Sequence, residues 1–371
     1  MRYKNVCLET ITFTLPEEVV SSEQLEDRLE PLYSRLGLPR GRLELMSGIR
    51  ERRFWAPGTL PSEKSVETAE RALAMAGIDK SQVGALVHGS VCRDHLEPAT
   101  ACAVHYGLGL SSRCAVYDVS NACLGILNGV VQLANMIELG QIRYGLVVGT
   151  ETSRPLVETT IAALNADQSL TRETVKTAVA SLTIGSGSAA ILLTDRESSR
   201  TGNRLLAATG RAYTAGHALC TSGRDEAVAS GMHPLMQTHA ERLMHDGIIA
   251  GAETYEALLE ETGWSRGEVD KTFCHQVGAA HRKFLLESLA IDPASDFATY
   301  PYLGNTGSVA LPMTMALGIQ AGHLRPSDRV ALLGIGSGIN TLMVAVDWQR
   351  SLAPEADKRP RKPAAAILAR S

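Results

Sequence analysis

The sequence has little of what marks several classes of protein. Aromatic residues make up only 5% of its 371 residues while glycine occurs 33 times, a composition that favours an α/β protein with many tight turns over a β-sandwich. Its 36 basic and 40 acidic residues leave a formal net charge of −4 without a long basic stripe, which argues against nucleic-acid binding. With 44% hydrophobic residues, a large core is expected and disorder of most of the chain is excluded.

Paired cysteine motifs and membrane-spanning segments are also missing. The seven cysteines include no CxxC pair, which argues against a disulfide framework or structural zinc and predicts a reducing compartment. They are Cys7, Cys92, Cys102, Cys114, Cys123, Cys220 and Cys274. The N-terminus lacks the apolar stretch of a signal peptide. Glycines and polar residues interrupt the apolar segment 330–348, so two buried strands joined by a turn are expected there instead of a membrane span. Together these features predict a soluble cytoplasmic protein.

Strand and helix patterns alternate along the chain. Short apolar runs bounded by turn residues predict buried strands at 3–13, 83–89, 115–119 and 144–149. Helical spacing of apolar residues predicts helices at 22–36, 62–76 and 122–139. This alternation favours a parallel sheet that is covered by helices on both faces.

The pattern then repeats itself. The passage from a turn into the strand 85–88 recurs 186 residues later at 271–274, and the same offset places 144–148 on 330–334. It also places Cys123 on Val309. Three landmarks at one offset predict a duplicated α/β unit, with halves at 1–175 and 176–350. The remaining residues, 351–371, contain three prolines and five basic residues and are predicted to be a disordered tail.

The first segment with chemical potential surrounds Cys123. Residues 119–125 (VSNACLG) predict the end of a strand, a turn of small residues and a helix that begins at or just after the cysteine. The helix dipole and free N–H groups there lower the pKa of a thiol and favour the nucleophilic thiolate. A backbone N–H at the same place can stabilise an oxyanion. The alternative interpretation is a cysteine packed in the core.

Three later segments add candidate site residues. Residues 273–278 (FCHQVG) end a strand at His275, where open parallel sheets place their sites, although a buried structural histidine is the alternative. Residues 302–308 (YLGNTGS) place Asn305 in a glycine-flanked turn, which alone would indicate a turn or a helix cap. Residues 334–338 (GIGSG) lack the spacing of a phosphate-binding loop, and their glycines are expected to let the backbone approach a ligand.

The order of these segments is more specific than any one of them. With Cys123, His275, Asn305 and a terminal glycine turn, the sequence resembles the thiolase superfamily, and in particular β-ketoacyl-acyl-carrier-protein synthase III. The resemblance extends over residues 3–348 and includes 47–53 (SGIRERR), which is similar to the N-terminal signature of that family. It implies a thiolase-like five-layered αβαβα fold of two duplicated halves, a homodimer and a Cys–His–Asn site.

One departure from synthase III lies in the loop 90–100. Synthase III enzymes have an apolar residue, often phenylalanine, where this chain has Glu97. A glutamate there resembles the OleA family of bacterial olefin and β-lactone pathways, as do the NACL residues around Cys123 and the LGIGSGIN ending at Asn340. In that family the glutamate comes from the partner subunit and reaches the reacting thioester. The alternative interpretation of Glu97 is a solvated loop carboxylate.

The resemblance to OleA implies a reaction in which fatty acyl-CoA molecules are the substrates. Cys123 would attack one acyl thioester and hold the acyl group, with the N–H groups of Cys123 and Ser337 stabilising the oxyanion. His275 and Asn305 would stabilise the enolate of a second acyl-CoA, whose α-proton Glu97 removes. This non-decarboxylative Claisen condensation would give a 2-alkyl-3-oxo acid that feeds olefin or β-lactone biosynthesis. Downstream enzymes of that pathway would be candidate partners.

Several alternatives stay open at this point. The chain could be a decarboxylating synthase III that uses a malonyl thioester, a pyrone-forming ketosynthase, one subunit of a heterodimer, or a scaffold without activity. Where synthase III enzymes clamp the adenine with tryptophan and arginine, this chain has Arg42 and Met46. Coenzyme contacts are therefore not assigned, and acyl-carrier-protein donors remain possible. No metal and no cofactor other than the acyl-CoA substrates is expected.

Overall fold

The computed structural model describes residues 1–222 and 236–352. Nearly all of the predicted tail, 351–371, therefore lies outside the described residues. The strands are β1 (Val6–Thr14), β2 (Glu18–Ser21), β3 (Glu51–Phe54), β4 (Val83–Gly89), β5 (Ala115–Val119), β6 (Tyr144–Glu151), β7 (Gly187–Asp195), β8 (Arg204–Ala212), β9 (Cys220–Ser222), β10 (Met236–Thr238), β11 (Lys271–Cys274), β12 (Arg329–Gly336) and β13 (Asn340–Asp347).

Helices alternate with these strands. The α-helices are α1 (Ser22–Arg28), α2 (Glu30–Leu36), α3 (Arg42–Ser47), α4 (Pro61–Ala76), α5 (Thr100–Leu108), α6 (Gly125–Glu138), α7 (Arg154–Ala166), α8 (Ala240–Thr262), α9 (Ala279–Leu289), α10 (Tyr300–Leu303) and α11 (Ala310–Gln320). Short 3₁₀ helices lie at Lys80–Gln82, Thr174–Thr183, Thr214–Gly216, Arg266–Glu268, Pro293–Ser295 and Gly307–Val309.

Nine strands follow one another in the order β11-β12-β13-β8-β1-β7-β6-β4-β5. The contact between β8 and β1 is a single residue pair, Cys7 with Arg204, so the sheet divides there into two parts. In the first part, β1 pairs with β7 and β4 pairs with β6. The equivalent pairs in the second part are β8 with β13 and β11 with β12. The equivalent of β5 in the second repeat is reduced to one bridge, between Thr272 and Asp296.

Helices form three layers around the two parts of the sheet. One cluster of buried side chains joins α6 and α11 to strands from both repeats. A second cluster packs α4 and α5 on the outside of the first part, and a third packs α8 and α9 on the outside of the other. Each fully buried Leu, Ile or Val side chain contributes about 1.5–3 kcal/mol. The predicted five-layered αβαβα fold of two duplicated halves is therefore confirmed.

Several sequence predictions match the structure closely. Strands β4 and β5 have the predicted bounds, and 330–348 forms the pair β12 and β13. The repeat offset of 186 residues superposes β4 on β11, β6 on β12 and the start of α6 on that of α11.

Other predictions need correction. The single helix expected at 22–36 is broken at Leu29, because Pro31 has no N–H to continue the hydrogen bonds of the first helix and fits the start of a second one. The helix expected from 122 begins at Gly125. Strand β7 pairs with both β1 and β6, so the sheet passes from one repeat to the other at 196–203 and not at the predicted division after 175.

Candidate active site

A sharp turn between β5 and α6 presents Cys123. The chain enters the turn through Ala122, whose φ of +45° lies in the left-handed region, a conformation that costs an L-residue roughly 1–2 kcal/mol. The N–H of Leu124 then donates to the carbonyl of Asn121 at 2.9 Å. The thiol is placed two residues before the first residue of α6, as the sequence predicted, and its side chain stays partly accessible.

Asparagine side chains fix this turn from both repeats. The amide of Asn121 donates to Oδ1 of Asn128 on α6 at 2.8 Å. Its own Oδ1 accepts from Nδ2 of Asn340, at the start of β13, at 3.1 Å. The cysteine turn is therefore tied to its own helix and to the second half of the chain.

Close backbone contacts bring the neighbouring strand ends onto this turn. A Cβ at Gly89 would lie 2.6 Å from the carbonyl of Gly125, so only glycine allows the end of β4 to meet the start of α6. A Cβ at Gly336 would lie 3.5 Å from the backbone nitrogen of Cys123. The turn that contains Ser337 thus packs against the cysteine backbone.

The electrostatic environment of Cys123 differs from the expected one. Burial raises the pKa of its thiol to about 12, and the charges of Glu151 and Cys220 act in the same direction. A backbone hydrogen bond lowers the pKa but is the smallest of these effects. The prediction that the helix N-terminus lowers the pKa of this thiol was therefore wrong in direction, because desolvation and a nearby carboxylate raise it.

His275 directly follows β11 at the carboxyl end of the sheet. Its N–H donates to the carbonyl of Leu333 on β12 at 3.0 Å. Only 3% of its surface is exposed, and Nδ1 has no hydrogen-bond partner in the described part of the chain. Burial, followed by the charge of His281, lowers the pKa of His275 to about 3. The ring is therefore neutral at physiological pH, and it is suited to donate one hydrogen bond.

Gln276 is a supporting residue that the sequence analysis missed. Its Nε2 donates to the carbonyl of Cys274 at 2.9 Å. Its Oε1 accepts from the N–H groups of Thr299 at 3.0 Å and Tyr300 at 3.2 Å. These bonds join the histidine segment to the start of α10, which leads to Asn305. The QV pair after the histidine was visible in the sequence, but its partners 23 and 24 residues away were not.

Asn305 lies in the turn between α10 and α11. Its N–H donates to the carbonyl of Thr183 at 3.0 Å, and its carbonyl accepts from Gly185 at 2.9 Å. The side-chain Oδ1 accepts from the N–H of Gly307 at 3.0 Å, which orients the amide and leaves the NH₂ group as a donor. Gly304, with φ of +68°, is required because a Cβ there would lie 2.5 Å from the carbonyl of Thr183.

A buried carboxylate between these elements was also missed. Glu151, at the end of β6, is only 4% exposed. It accepts hydrogen bonds from the N–H groups of Val91 at 3.0 Å and Cys92 at 3.2 Å. It also accepts from the N–H of Ser308 at 3.2 Å and from its hydroxyl at 2.6 Å. The position of a glutamate at the carboxyl end of a buried strand was the available signal in the sequence.

Glu97 is placed differently from the other candidates. It lies in the loop after β4, and its side chain is exposed. Asp118 accepts from the N–H groups of Thr100 and Ala101 at 2.8 Å each, which fixes the end of the loop. Glu151 fixes the start of the loop. A single chain thus presents Glu97 to the surroundings on a well-anchored loop. Its role as a base from the partner subunit stays a prediction.

Residues 1–222 and 236–352 contain neither a candidate metal site nor a membrane-spanning helix. No cluster of three or more His, Cys, Asp or Glu side chains is arranged to hold a metal ion there. In the same residues, every helix is too short or too polar to cross a membrane.

Family models match both halves of the chain. Residues 59–186, which include Glu97 and Cys123, match the thiolase N-terminal domain. Residues 259–348, which include His275, Asn305 and Ser337, match the C-terminal domain of 3-oxoacyl-[acyl-carrier-protein] synthase III. The fold and these matches define an acyltransferase of the thiolase superfamily, a condensing enzyme.

Relatives of full length narrow the class. The chain is 42% identical over 351 residues to the acyl-CoA:acyl-CoA alkyltransferase of Shewanella oneidensis, covering 94% of this chain and 100% of the relative. It is 33% identical to the acyl-CoA:acyl-CoA alkyltransferase of Xanthomonas campestris, with coverage of 94% and 100%. A β-ketoacyl-[acyl-carrier-protein] synthase III of Streptomyces coelicolor is 27% identical over 344 residues, covering 90% of this chain and 94% of that protein.

Solved structures agree with these relatives. Xanthomonas campestris OleA in a cysteine-to-serine variant, with bound lauric acid and lauroyl-CoA, is similar with a TM-score of 0.87 and 33% identity, covering 93% of this chain and 100% of that one. Cerulenin-bound OleA from the same organism is similar with a TM-score of 0.88 and 33% identity, covering 94% and 98%. The chain belongs to the acyl-CoA:acyl-CoA alkyltransferase family.

Proposed function

We propose that this enzyme joins two fatty acyl-CoA molecules by a non-decarboxylative Claisen condensation through an acyl group on Cys123. The observation that supports this most directly is the full-length similarity to two acyl-CoA:acyl-CoA alkyltransferases. The neutral, buried His275 then limits which group can act as the base. An imidazole with a pKa of about 3 is a hydrogen-bond donor and not a base for an α-proton at neutral pH. The reaction therefore needs a separate base or a substrate that loses CO₂ instead of a proton.

The first step loads the enzyme. The sulfur of Cys123 attacks the thioester carbonyl, the C–S bond to CoA breaks, and the thiol proton leaves with CoA. The N–H groups of Cys123 and Ser337 stabilise the oxyanion, a role supported by the contact of the 336–338 turn with the cysteine backbone. The raised thiol pKa keeps the free enzyme as a thiol, so the attack is coupled to proton transfer.

The second step forms the carbon–carbon bond. Glu97 takes the α-proton of a second acyl-CoA, and the enolate oxygen accepts hydrogen bonds from His275 and the amide of Asn305. The α-carbon attacks the thioester of Cys123, whose sulfur leaves and is reprotonated from Glu97. The product is a 2-alkyl-3-oxoacyl-CoA, and addition of water to its thioester gives the 2-alkyl-3-oxo acid and CoA.

Two carboxylates could serve as the base. Glu151 lies near Cys123, but four donors already bind its oxygens, so these oxygens are engaged within the protein. The side chain of Glu97 is exposed on its loop, so its carboxylate is accessible to a partner subunit. Glu97 is therefore the better candidate.

The base role of Glu97 requires a second subunit, and we propose a homodimer. Strand β5 is at the edge of the sheet with one neighbour, β4, and its unpaired backbone groups favour pairing with another chain. Glu97 lies in the loop between β4 and α5, whose first end is fixed by Glu151 and whose second end is fixed by Asp118 of β5. A dimer through this edge would bring the loop to the partner. The presence of both Cys123 and Glu97 in one chain favours identical subunits over a heterodimer.

The pathway and the location are proposals of the same kind. The chemistry needs no cofactor besides the acyl-CoA substrates, and we place the enzyme in the cytoplasm, where its product would enter olefin or β-lactone biosynthesis. The decarboxylating reaction with a malonyl thioester is the second candidate, because the C-terminal half matches synthase III. Pyrone formation is a third outcome of the product analysis.

The test is a product assay by mass spectrometry. Purified enzyme is incubated with myristoyl-CoA alone, and then with malonyl-CoA or malonyl-acyl-carrier protein added. We expect the 2-alkyl-3-oxo acid, or the long-chain ketone formed from it, with myristoyl-CoA alone. Glu97→Gln should lose this product and still load Cys123, whereas Glu23→Gln, an exposed glutamate on α1, should match the wild type. Product that needs a malonyl donor and survives Glu97→Gln would return the enzyme to the decarboxylating class.

A further inference from the structure

Glu151 connects two segments that are far apart in the chain. On one side its carboxylate accepts from the N–H groups of Val91 and Cys92, at the start of the loop that contains Glu97. On the other side it accepts from the N–H and the hydroxyl of Ser308, three residues after Asn305. One buried side chain thus bonds a loop of the first repeat and a turn of the second.

We propose that Glu151 is a positioning residue for the condensation step. It holds the start of the loop that contains Glu97 at a fixed separation from the turn that contains Asn305. The proposal rests on the proposed function, because it takes the roles of Glu97 and Asn305 from that reaction. The condensation requires the proton acceptor and the enolate donors to meet one substrate at the same time. An error of about 1 Å in such an arrangement can reduce a rate by about a hundredfold.

A comparison with other buried carboxylates shows what is particular to Glu151. Glu26, 2% exposed, accepts from the N–H groups of Gly41 and Leu43, at the start of α3. Glu9, also 2% exposed, accepts from the N–H of Arg200 at 2.9 Å. Neither of these carboxylates bonds a segment that presents a site residue. The donors to Glu151, by contrast, belong to the two segments that present site residues.

The location of Glu151 also has a disadvantage for the first step. Its charge raises the pKa of Cys123 and so disfavours the thiolate. A neutral side chain of the same shape would avoid this effect, but it could not accept from all four donors, because an amide has only one oxygen. The carboxylate therefore suits a role in the second step at the expense of the first.

The test separates the two steps in the full-length enzyme. In Glu151→Gln the amide NH₂ faces at least one of the N–H donors and cannot accept from it. We expect condensation of myristoyl-CoA to fall at least about tenfold, with acyl transfer to Cys123 within about threefold of wild type. Acyl transfer is measured as the single-turnover release of CoA. Glu9→Gln is the matched control, because it makes the same change in a buried carboxylate away from the site, and it should keep both rates.

Alkylation of Cys123 reports on the charge of Glu151 separately from the two reaction rates. Iodoacetamide labelling is followed by peptide mass spectrometry as a function of pH. Glu151→Gln removes a charge that acts on the thiol, so its labelling midpoint should move to lower pH. Cys220 remains as the other group that raises the pKa, and the 336–338 turn has no titratable side chain. Ser308→Ala weakens the same contact without a charge change, so it should slow condensation and leave the midpoint unchanged.

A double variant tests whether Glu151 acts through Glu97. If it does, Glu151→Gln should cause a smaller further loss of condensation in the Glu97→Gln background than in the wild type, because effects of coupled residues are not additive. Wild-type condensation in Glu151→Gln and in Ser308→Ala would overturn the proposal, and so would equal losses of acyl transfer and condensation. Failure of the proposed function looks different, because then the wild type itself makes no condensation product from acyl-CoA alone.

Discussion

Replacement of Asn305 by aspartate isolates its proposed part in enolate stabilisation. The Oδ1 atom already accepts from the N–H of Gly307 at 3.0 Å, and a carboxylate keeps that bond. The backbone bonds to Thr183 and Gly185 do not involve the side chain. The substitution therefore preserves the turn and exchanges the NH₂ donor for an acceptor oxygen.

The expected loss follows from what the donor does. Removal of one preorganised oxyanion donor costs about 10²–10³ in turnover, or about 2.7–4 kcal/mol of transition-state stabilisation. A negative oxygen facing the enolate adds repulsion, so condensation by Asn305→Asp should fall at least about a hundredfold. Acyl transfer to Cys123 does not use this donor and should stay within a few fold of wild type.

The assay pairs single-turnover CoA release with product quantification, and thermal unfolding serves as the structural control. Asn305→Asp should unfold close to the wild type, whereas Asn305→Ala also loses the bond to Gly307 and should be destabilised by about 1 kcal/mol. Condensation at the wild-type rate in Asn305→Asp would refute the donor role. Equal losses of acyl transfer and condensation would show that the amide acts in both steps.

Two further predictions concern stability and the backbone of the site. Burial lowers the pKa of His88 and His281 to about 4 and that of His275 to about 3, while the unfolded chain binds a proton at each below about 6.5. The contribution of these three histidines to the free energy of unfolding is therefore complete above that pH, and it should fall by about 4 kcal/mol between pH 7 and 5.5. Urea unfolding at the two pH values measures this fall, and a flat profile would contradict it. Gly304→Ala should displace the Asn305 turn and reduce the rate of condensation more than that of acyl transfer. Gly263→Ala, also at positive φ but in open space, should lose stability alone. Equal kinetics of the two variants would contradict the role of the Asn305 turn in condensation.

Local sequence was enough to predict the repeat. It was also enough to predict Cys123, His275 and Asn305, because each lies at a strand end or in a turn. Strands β4 and β5 are apolar runs bounded by turn residues, and a buried parallel strand needs little else to define it. The start of α6 was predicted three residues early, since the left-handed Ala122 has no signature of its own. Pro31 was a visible signal for the break at Leu29, and it was not used.

What could not be predicted depends on contacts between distant segments. The partners of Glu151 are 59, 60 and 157 residues away in sequence, and none of them is a lysine or an arginine that would have marked an ion pair. The pKa of Cys123 was predicted in the wrong direction for the same reason. A helix start is visible in the sequence, whereas the desolvation around the thiol arises from packing of both halves.

The duplicated fold has two equivalent places where a helix begins after a strand end, and only one has a nucleophile. The equivalent of Cys123 in the second repeat is Val309, which is completely buried, while the cysteine keeps accessible surface. A thiol introduced at 309 would have no route to a substrate. The internal symmetry is therefore broken by access as well as by residue type, and a single substitution could not turn this pseudo-twofold molecule into an enzyme with two active sites per chain.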